Sequence, residues 1–299
     1  MSEAVFKSGF VSIIGRPNVG KSTLINAILG DKISIVSDKP QTTRNRIMGV
    51  KHLTDAQIVF LDTPGIHKPK HKLNEYMVKA ALNTIDEVDI ILFMTEAGSE
   101  PGSGDSYILD LLTEAKKTVF LLINKIDKVQ KSIILPQIDI YRQLNKFEEV
   151  FPISALRGEN VDGLLASIVK CLPEGPQYFP EDVLTDQPMR FIAAEIVREK
   201  IFYHTYQEVP YSVAVGIEEF REDEVKNIAF IRGLIFVEKD SQKGIIIGKG
   251  GAMLKQVGQR ARQELEALMG IKVFLELWVK VKPNWQSDDT ILKMLGYKV

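Results

Sequence analysis

Short, uninterrupted apolar runs alternate along the first half of the chain with stretches whose hydrophobic side chains recur every three or four positions. The runs fall at residues 10–14, 57–61, 89–94, 118–123 and 149–153, and stretches such as 23–29 and 73–85 lie between them. Continuous apolar runs are strands buried on both faces, and the longer periodic stretches are the helices that cover them. The pattern predicts an α/β domain with a mostly parallel sheet and helices on both faces. Each run stops where a polar cluster begins, and in such sheets ligands gather at the carboxyl ends of the strands. Residues 31–48 break the rhythm with a polar, turn-rich segment expected to be a long mobile loop. A second, basic loop covers residues 67–72.

Pro173, Gly175, Pro176 and Pro180 end the alternation. They suit a connecting segment, so residues 1–175 form one domain, 176–185 a linker, and 186–299 a second domain. In that second part Thr185 or Asp186 is placed to cap a helix with Pro188 in its first turn and Phe191, Ala194, Val197 and Ile201 along one side. Strands are expected over residues 211–218 and 227–237. A helix with the stripe Leu254, Val257, Ala261, Leu265 and Leu268 follows, and then a strand with Val273, Leu275, Leu277, Val279 and Val281 on one face. This is the pattern of a small α+β domain.

Composition changes the picture in three places. With 299 residues and 45% hydrophobic content the chain can bury two cores without covalent staples. The one cysteine, Cys171, has no partner for an internal disulfide and is expected to pack, which fits a reducing, cytoplasmic setting. The net charge of −1 excludes a global basic field, yet from Lys239 to Arg262 six basic residues face a single acid, Asp240. Any nucleic-acid partner must therefore be met locally. No apolar run is long enough to cross a bilayer.

The candidate chemistry sits at the ends of the runs. Residues 15–22 read Gly-Arg-Pro-Asn-Val-Gly-Lys-Ser between a strand and a helix. That arrangement points backbone N–H groups at phosphate, with Lys21 reaching the terminal phosphates and Ser22 offering its hydroxyl to Mg²⁺. Asp62-Thr63-Pro64-Gly65 follows a buried strand, where Asp62 can hold Mg²⁺ through water and the Gly65 N–H can meet a γ-phosphate oxygen. In Asn124-Lys125-Ile126-Asp127 the carboxylate can accept from guanine N1–H and the exocyclic amine, a donor pair that adenine lacks, while the Lys125 stem lies over the base. Ser154-Ala155 is placed to close the pocket with a backbone N–H to the base oxygen. In the second domain Gly248-Lys249-Gly250-Gly251 is a turn that lets a nucleic-acid backbone come close.

Together these residues resemble a known family. Gly15 to Ser22, Asp62 to Gly65, Asn124 to Asp127 and Ser154-Ala155-Leu156 are similar to the G1, G3, G4 and G5 motifs of the translation-factor-related GTPases, and Gln41-Thr42-Thr43-Arg44-Asn45 resembles the G2 switch of the Era branch. The glycine loop, with its order of helix, two strands, loop-helix and strand, resembles a type II KH RNA-binding domain. A P-loop GTPase domain followed by a KH domain resembles the Era family of bacterial GTPases over essentially the whole chain.

The resemblance implies a Mg²⁺-dependent GTPase with slow intrinsic turnover that binds the 3′ end of small-subunit, 16S-type ribosomal RNA and acts as a switch in 30S subunit assembly. The alternatives are an RNA-binding protein whose nucleotide only regulates affinity and a peripheral membrane GTPase. Carried over residue by residue, GTP or GDP would be held by Gly15, Asn18, Val19, Gly20, Lys21, Ser22, Thr23, Thr42, Thr43, Asp62, Gly65, Asn124, Lys125, Asp127, Ser154, Ala155 and Leu156, with Lys21, Thr43, Asp62 and Gly65 in the hydrolytic role. Mg²⁺ would be met by Ser22, Thr43 and Asp62, with Thr42 the other candidate for the switch threonine. Asn18 matches the asparagine that helps hold K⁺ in related potassium-activated GTPases. RNA would be met by Lys243, Gly248, Lys249, Gly250, Gly251 and Lys255. The resemblance further implies a monomer and peripheral association with the inner face of the membrane. One residue departs from the Ras pattern: Ile66 stands where a glutamine orients the attacking water.

Overall fold

The structure is a computed structural model describing residues 5–37, 39, 41–66, 69 and 71–297. It divides into two compact units, the second taking residues 187–297 together with 37, 39 and 71–76, the first taking the remaining described residues. Pro40, and His67, Lys68 and Lys70 of the basic loop, lie outside the described residues.

In the first unit the strands are β1 (Lys7–Gly15), β2 (Ile47–His52), β3 (Ala56–Asp62), β4 (Ile90–Glu96), β5 (Thr118–Asn124) and β6 (Glu149–Pro152). Their order is β2-β3-β1-β4-β5-β6. Only β2 runs antiparallel to its neighbour. The helices are α1 (Lys21–Leu29), α2 (Lys72–Glu87), α3 (Ser103–Ala115), α4 (Ile134–Leu144) and α5 (Val161–Cys171). Alternate residues of each strand enter opposite cores: Val11 and Ile13 pack with Leu24, Ile28, Leu164 and Ile168 of α1 and α5. Ile14 instead joins Ala81, Ile108 and Ile138 of α2, α3 and α4. This two-sided burial is the reason the strands read as unbroken apolar runs.

The structure departs from expectation at three places in this unit. The loop over residues 31–48 ends early, because Ile47 and Met48 already belong to β2 and pair with Asp62 and Leu61. Cys171 is exposed rather than packed, since it lies on the outward side of α5, whose buried stripe is Val161, Leu164, Ser167 and Ile168. The segment expected as a linker is an ordered strap on β2 and β3. Gln57 Oε1 accepts from the Tyr178 and Phe179 N–H groups at 2.8 and 3.0 Å, and the Val50 N–H donates to the Leu184 carbonyl at 2.9 Å. Thr185 Oγ1 donates to the Met48 carbonyl at 2.6 Å.

The second unit contains α6 (Met189–His204), β7 (Ala214–Asp223), β8 (Ile228–Val237), α7 (Asp240–Ile247), α8 (Ala252–Met269), β9 (Lys272–Val281) and a short C-terminal α9 (Asp289–Met294). The sheet order is β7-β8-β9, with β7 antiparallel and β9 parallel to the central β8. The parallel pair follows from the α7–α8 crossover, and residues of α6 and α8 cover one face of the sheet. Helix α6 begins at Met189, with Pro188 in extended conformation as its N-cap and no side-chain cap, so neither Thr185 nor Asp186 stands at the cap position. Leu268 is 45% exposed; Met269, one position on, packs against the core in its place. Residues 240–247 form a helix that the Gly244-Ile-Ile-Ile run concealed.

A nucleotide site at the strand ends and a glycine loop between two helices

The loop after β1 turns tightly into α1. A side chain at Gly15 would strike the Met94 carbonyl at 2.3 Å, and one at Gly65 would strike Pro17 of the same loop at 2.6 Å. The Asp62–Gly65 segment therefore lies directly against residues 15–22. Asn18 and Gly20 both adopt left-handed backbone, φ 67° and 109°, which turns successive N–H groups to one side in the manner of an anion-binding nest. Lys21 folds over this loop, donating to the carbonyls of Gly15 at 3.2 Å and Arg16 at 3.0 Å. Burial pushes its pKa down to about 8, with the Asp62 carboxylate opposing the shift.

Three oxygen-bearing side chains meet beside that lysine. Ser22 Oγ donates to Asp62 Oδ2 at 2.7 Å and lies 2.8 Å from Thr43 Oγ1; Thr43 Oγ1 donates to the same carboxylate oxygen at 3.4 Å. Asp62 is fully buried, and its Oδ1 has no hydrogen-bond partner. Desolvation holds its carboxyl above the usual range against the Ser22 hydrogen bond and the Lys21 charge. Hydroxyl and carboxylate oxygens around an orphaned anionic atom are the donor set of a hard divalent cation, and the residues fit Mg²⁺. Of the two adjacent threonines, Thr43 reaches this cluster, and Thr42 is half-buried. Thr23, half-buried, follows in the first turn of α1.

The residues expected to meet the base are stitched to the loop. Asn124 Nδ2 donates to the Val19 carbonyl at 2.8 Å, and its Oδ1 accepts the Ala155 N–H at 2.9 Å. Of the two backbone N–H groups of Ser154-Ala155, that of Ala155 donates to Asn124 Oδ1 and that of Ser154 to the Glu159 carbonyl. Asp127 accepts from Ser154 Oγ at 2.6 Å, with the Arg157 Nε 4.0 Å away. The Ser154 bond, more than the cation, holds its carboxyl below the usual range, against partial desolvation. It is thus an anionic acceptor. Lys125, in left-handed conformation, pairs with Glu96 Oε2 at 2.7 Å. Leu156 is 73% exposed. Ile66 is 2% exposed and packs in the core, so its side chain does not face the phosphate loop.

Sequence reasoning missed Glu96, Arg16 with Asp105, and Asn26. Asn26 Oδ1 accepts the Ile33 and Ser34 N–H groups and its Nδ2 donates to the Ser34 carbonyl, closing the start of the switch segment. These are side chains whose partners lie on other elements, a relation no local pattern carries.

In the second unit the Gly248–Gly251 turn joins α7 to α8. Gly248, Gly250 and Gly251 have φ of 72°, 59° and 80°. At Gly248 a side chain would also strike Met253 at 2.7 Å, whereas Gly250 and Gly251 face open space. Lys249 and Lys255 are exposed and Lys243 is half-buried. Gln242, buried, accepts from the Glu238 and Lys239 N–H groups and closes the start of α7. No helix among the described residues is long and apolar enough to cross a membrane.

The fold and the two sites define a P-loop GTPase domain joined to a KH domain. Residues 10–125 match the family model described as a 50S ribosome-binding GTPase, and residues 208–286 match that of the KH domain. The chain is 56% identical over 297 residues to the GTPase Era of Geobacter metallireducens, covering 99% of this chain and 100% of that protein. It is 55% identical to the GTPase Era of Alkaliphilus metalliredigens, covering 98% and 99%. A crystal structure of Era in complex with MgGDPNP and nucleotides 1506–1542 of 16S ribosomal RNA superposes with a TM-score of 0.95 at 47% identity, covering 98% of this chain and 100% of that one. An Aquifex aeolicus Era variant bound to GDP·AlF4⁻ superposes with the same TM-score, identity and coverage. The chain belongs to the Era family of GTPases.

Proposed function

We propose that this GTPase binds the 3′ end of small-subunit ribosomal RNA through its Gly248–Gly251 loop and acts as a nucleotide-controlled switch in assembly of the 30S subunit. The support is an Era structure, 47% identical over 98% of the chain, that holds a GTP analogue and a 16S ribosomal RNA segment together. In hydrolysis the loop N–H groups and Lys21 hold the phosphates, the Gly65 N–H meets the γ-phosphate, and water displaces GDP to leave inorganic phosphate. Ser22, Thr43 and Asp62 hold Mg²⁺, which when bound neutralises charge on the phosphate oxygens. Asp127 selects guanine, because an anionic acceptor enclosed by the bound base and left without its donor pair costs roughly 1–3 kcal/mol or more. Gly250→Asp, which places a charge on a strained left-handed residue, is expected to abolish retention of the 16S 3′ segment while leaving GTP affinity intact. Unchanged RNA retention in a gel-shift titration refutes the clamp.

Turnover lacks the usual water-orienting glutamine, because Ile66 is apolar and buried. Asn18, in left-handed conformation within the phosphate loop, is positioned to help hold K⁺ where extra positive charge would aid the transition state. Steady-state hydrolysis is expected to be slow and faster in KCl than in NaCl at equal ionic strength. Equal rates in the two salts remove that role.

A further inference from the structure

Arg16 belongs to the phosphate loop by its backbone, yet its side chain runs away from the nucleotide motifs. Its Nε lies 3.0 Å from Asp105 Oδ1, and the Asp105 side chain is fully buried. The contact is ionic rather than directed, because neither atom makes a hydrogen bond of acceptable geometry. The other Asp105 oxygen accepts the Gly102 N–H at 2.9 Å and closes the start of α3. Arg16 Nη2 donates to Ser99 Oγ at 3.2 Å. A side chain at Gly104 would come within 3.3 Å of the Arg16 stem, whereas one at Gly102 would meet the guanidinium at an ordinary 3.5 Å, so Gly104 leaves room in the bed where Arg16 lies.

The bed is itself fixed. Gln137 of α4, 6% exposed, accepts the Gly98 N–H and donates to the carbonyls of Glu96 and Ser99 at 2.9 and 3.0 Å. Glu96 pairs with Lys125. The segment 96–105 therefore touches both ends of the nucleotide site, through Arg16 at the phosphate loop and through Lys125 at the base motif. None of the nucleotide motifs includes it.

We propose that Asp105 is a positioning residue for nucleotide binding. It holds the Arg16 side chain, and through it the Arg16 carbonyl that keeps Lys21 over the phosphate loop. A loop fixed before the ligand arrives loses less freedom on loading, so the pair acts on phosphate affinity and not only on the fold. The inference rests on the assignment of residues 15–22 as the phosphate loop. Lys21→Ala tests that assignment separately, because it removes phosphate affinity without touching the Arg16–Asp105 pair.

Asp105→Asn is the decisive variant: the amide still accepts from Gly102 but no longer attracts Arg16. With Mg²⁺ present, titration with fluorescent GDP and GTP is expected to show both binding about fivefold more weakly, at one site per chain, within the range of couplings between contacting side chains. Combining Asp105→Asn with Arg16→Met should weaken binding no further than Arg16→Met alone. Wild-type affinity in Asp105→Asn overturns the proposal. So does a fall in the fraction of competent protein at unchanged affinity, or full additivity of the two changes. If Asp105→Asn does not yield folded protein, Ser99→Ala carries the test: it withdraws one Arg16 partner at a half-buried position and should weaken both nucleotides about twofold, with unchanged affinity again overturning the proposal.

Discussion

The two sites are built in opposite ways. Around the phosphate loop nearly every functional side chain already has a protein partner: Lys21 on two carbonyls, Ser22 and Thr43 on Asp62, Asn124 between Val19 and Ala155, and Asp127 on Ser154. The Gly248–Gly251 turn has no such lattice. Its shape is set by three left-handed glycines, and the exposed Lys249 extends from it, with Lys255 exposed on α8. A phosphate and a cation of fixed geometry reward a site prepared in advance, because ordering has already been met by folding. A flexible polynucleotide backbone is better served by a turn that permits close approach. Removing one side chain should therefore damage the first site selectively, whereas the second should fail through its backbone, as Gly250→Asp is designed to show.

The largest effect expected from a side-chain deletion is at Thr43. Thr43 Oγ1 lies 2.8 Å from Ser22 Oγ beside the orphaned Asp62 oxygen. Thr43→Ala is expected to lower kcat for GTP about a hundredfold, the scale on which loss of one preorganised charge-stabilising contact is felt. GDP affinity should change less than about threefold, because GDP lacks the γ-phosphate that the switch meets. Thr42→Ala should leave kcat within about threefold, since surface or half-buried polar truncations away from a site cost little. Equal losses in the two variants would show that the site is not prepared around one threonine.

Much of this was legible in the sequence, for reasons that can be named. The strands of the first unit are buried on both faces, so they appear as unbroken apolar runs, and the phosphate loop, Asp62 and Asn124–Asp127 stand at their ends. The residues alone left Thr42 and Thr43 both open, with only the resemblance favouring Thr43, because neighbouring residues on an irregular segment face different ways and no periodicity ranks them. Helix α7 escaped because Gly244 and three successive isoleucines carry strand-like propensity, while the buried Gln242 that closes its start works through backbone N–H groups. The bond from the Ala155 N–H to Asn124 carries no local signal, because Asn124 ends β5, 31 positions earlier. The exposure of Cys171 followed from helix phase, which composition does not report.

A smaller effect separates the two regions by proton linkage. Burial lowers the Lys21 pKa to about 8, well under the usual lysine value of about 10.4. The unliganded fold thus binds fewer protons than the unfolded chain between those limits, and stability carried by this group rises with pH across that window. A bound phosphate restores the charged form, so loading takes up protons and nucleotide affinity must fall as pH rises through about 8. With divalent ions removed, to keep Asp62 out of the balance, GDP binding at pH 8 should take up about half a proton per site. Calorimetry in buffers of different ionisation enthalpy measures that uptake directly. Lys21→Arg should abolish it, because guanidinium stays charged throughout. The glycine turn contains no buried titrating group among Gly248, Gly250 and Gly251, so RNA retention should show no matching step near pH 8. A step of equal size in both would mean that the two sites are prepared in the same way after all.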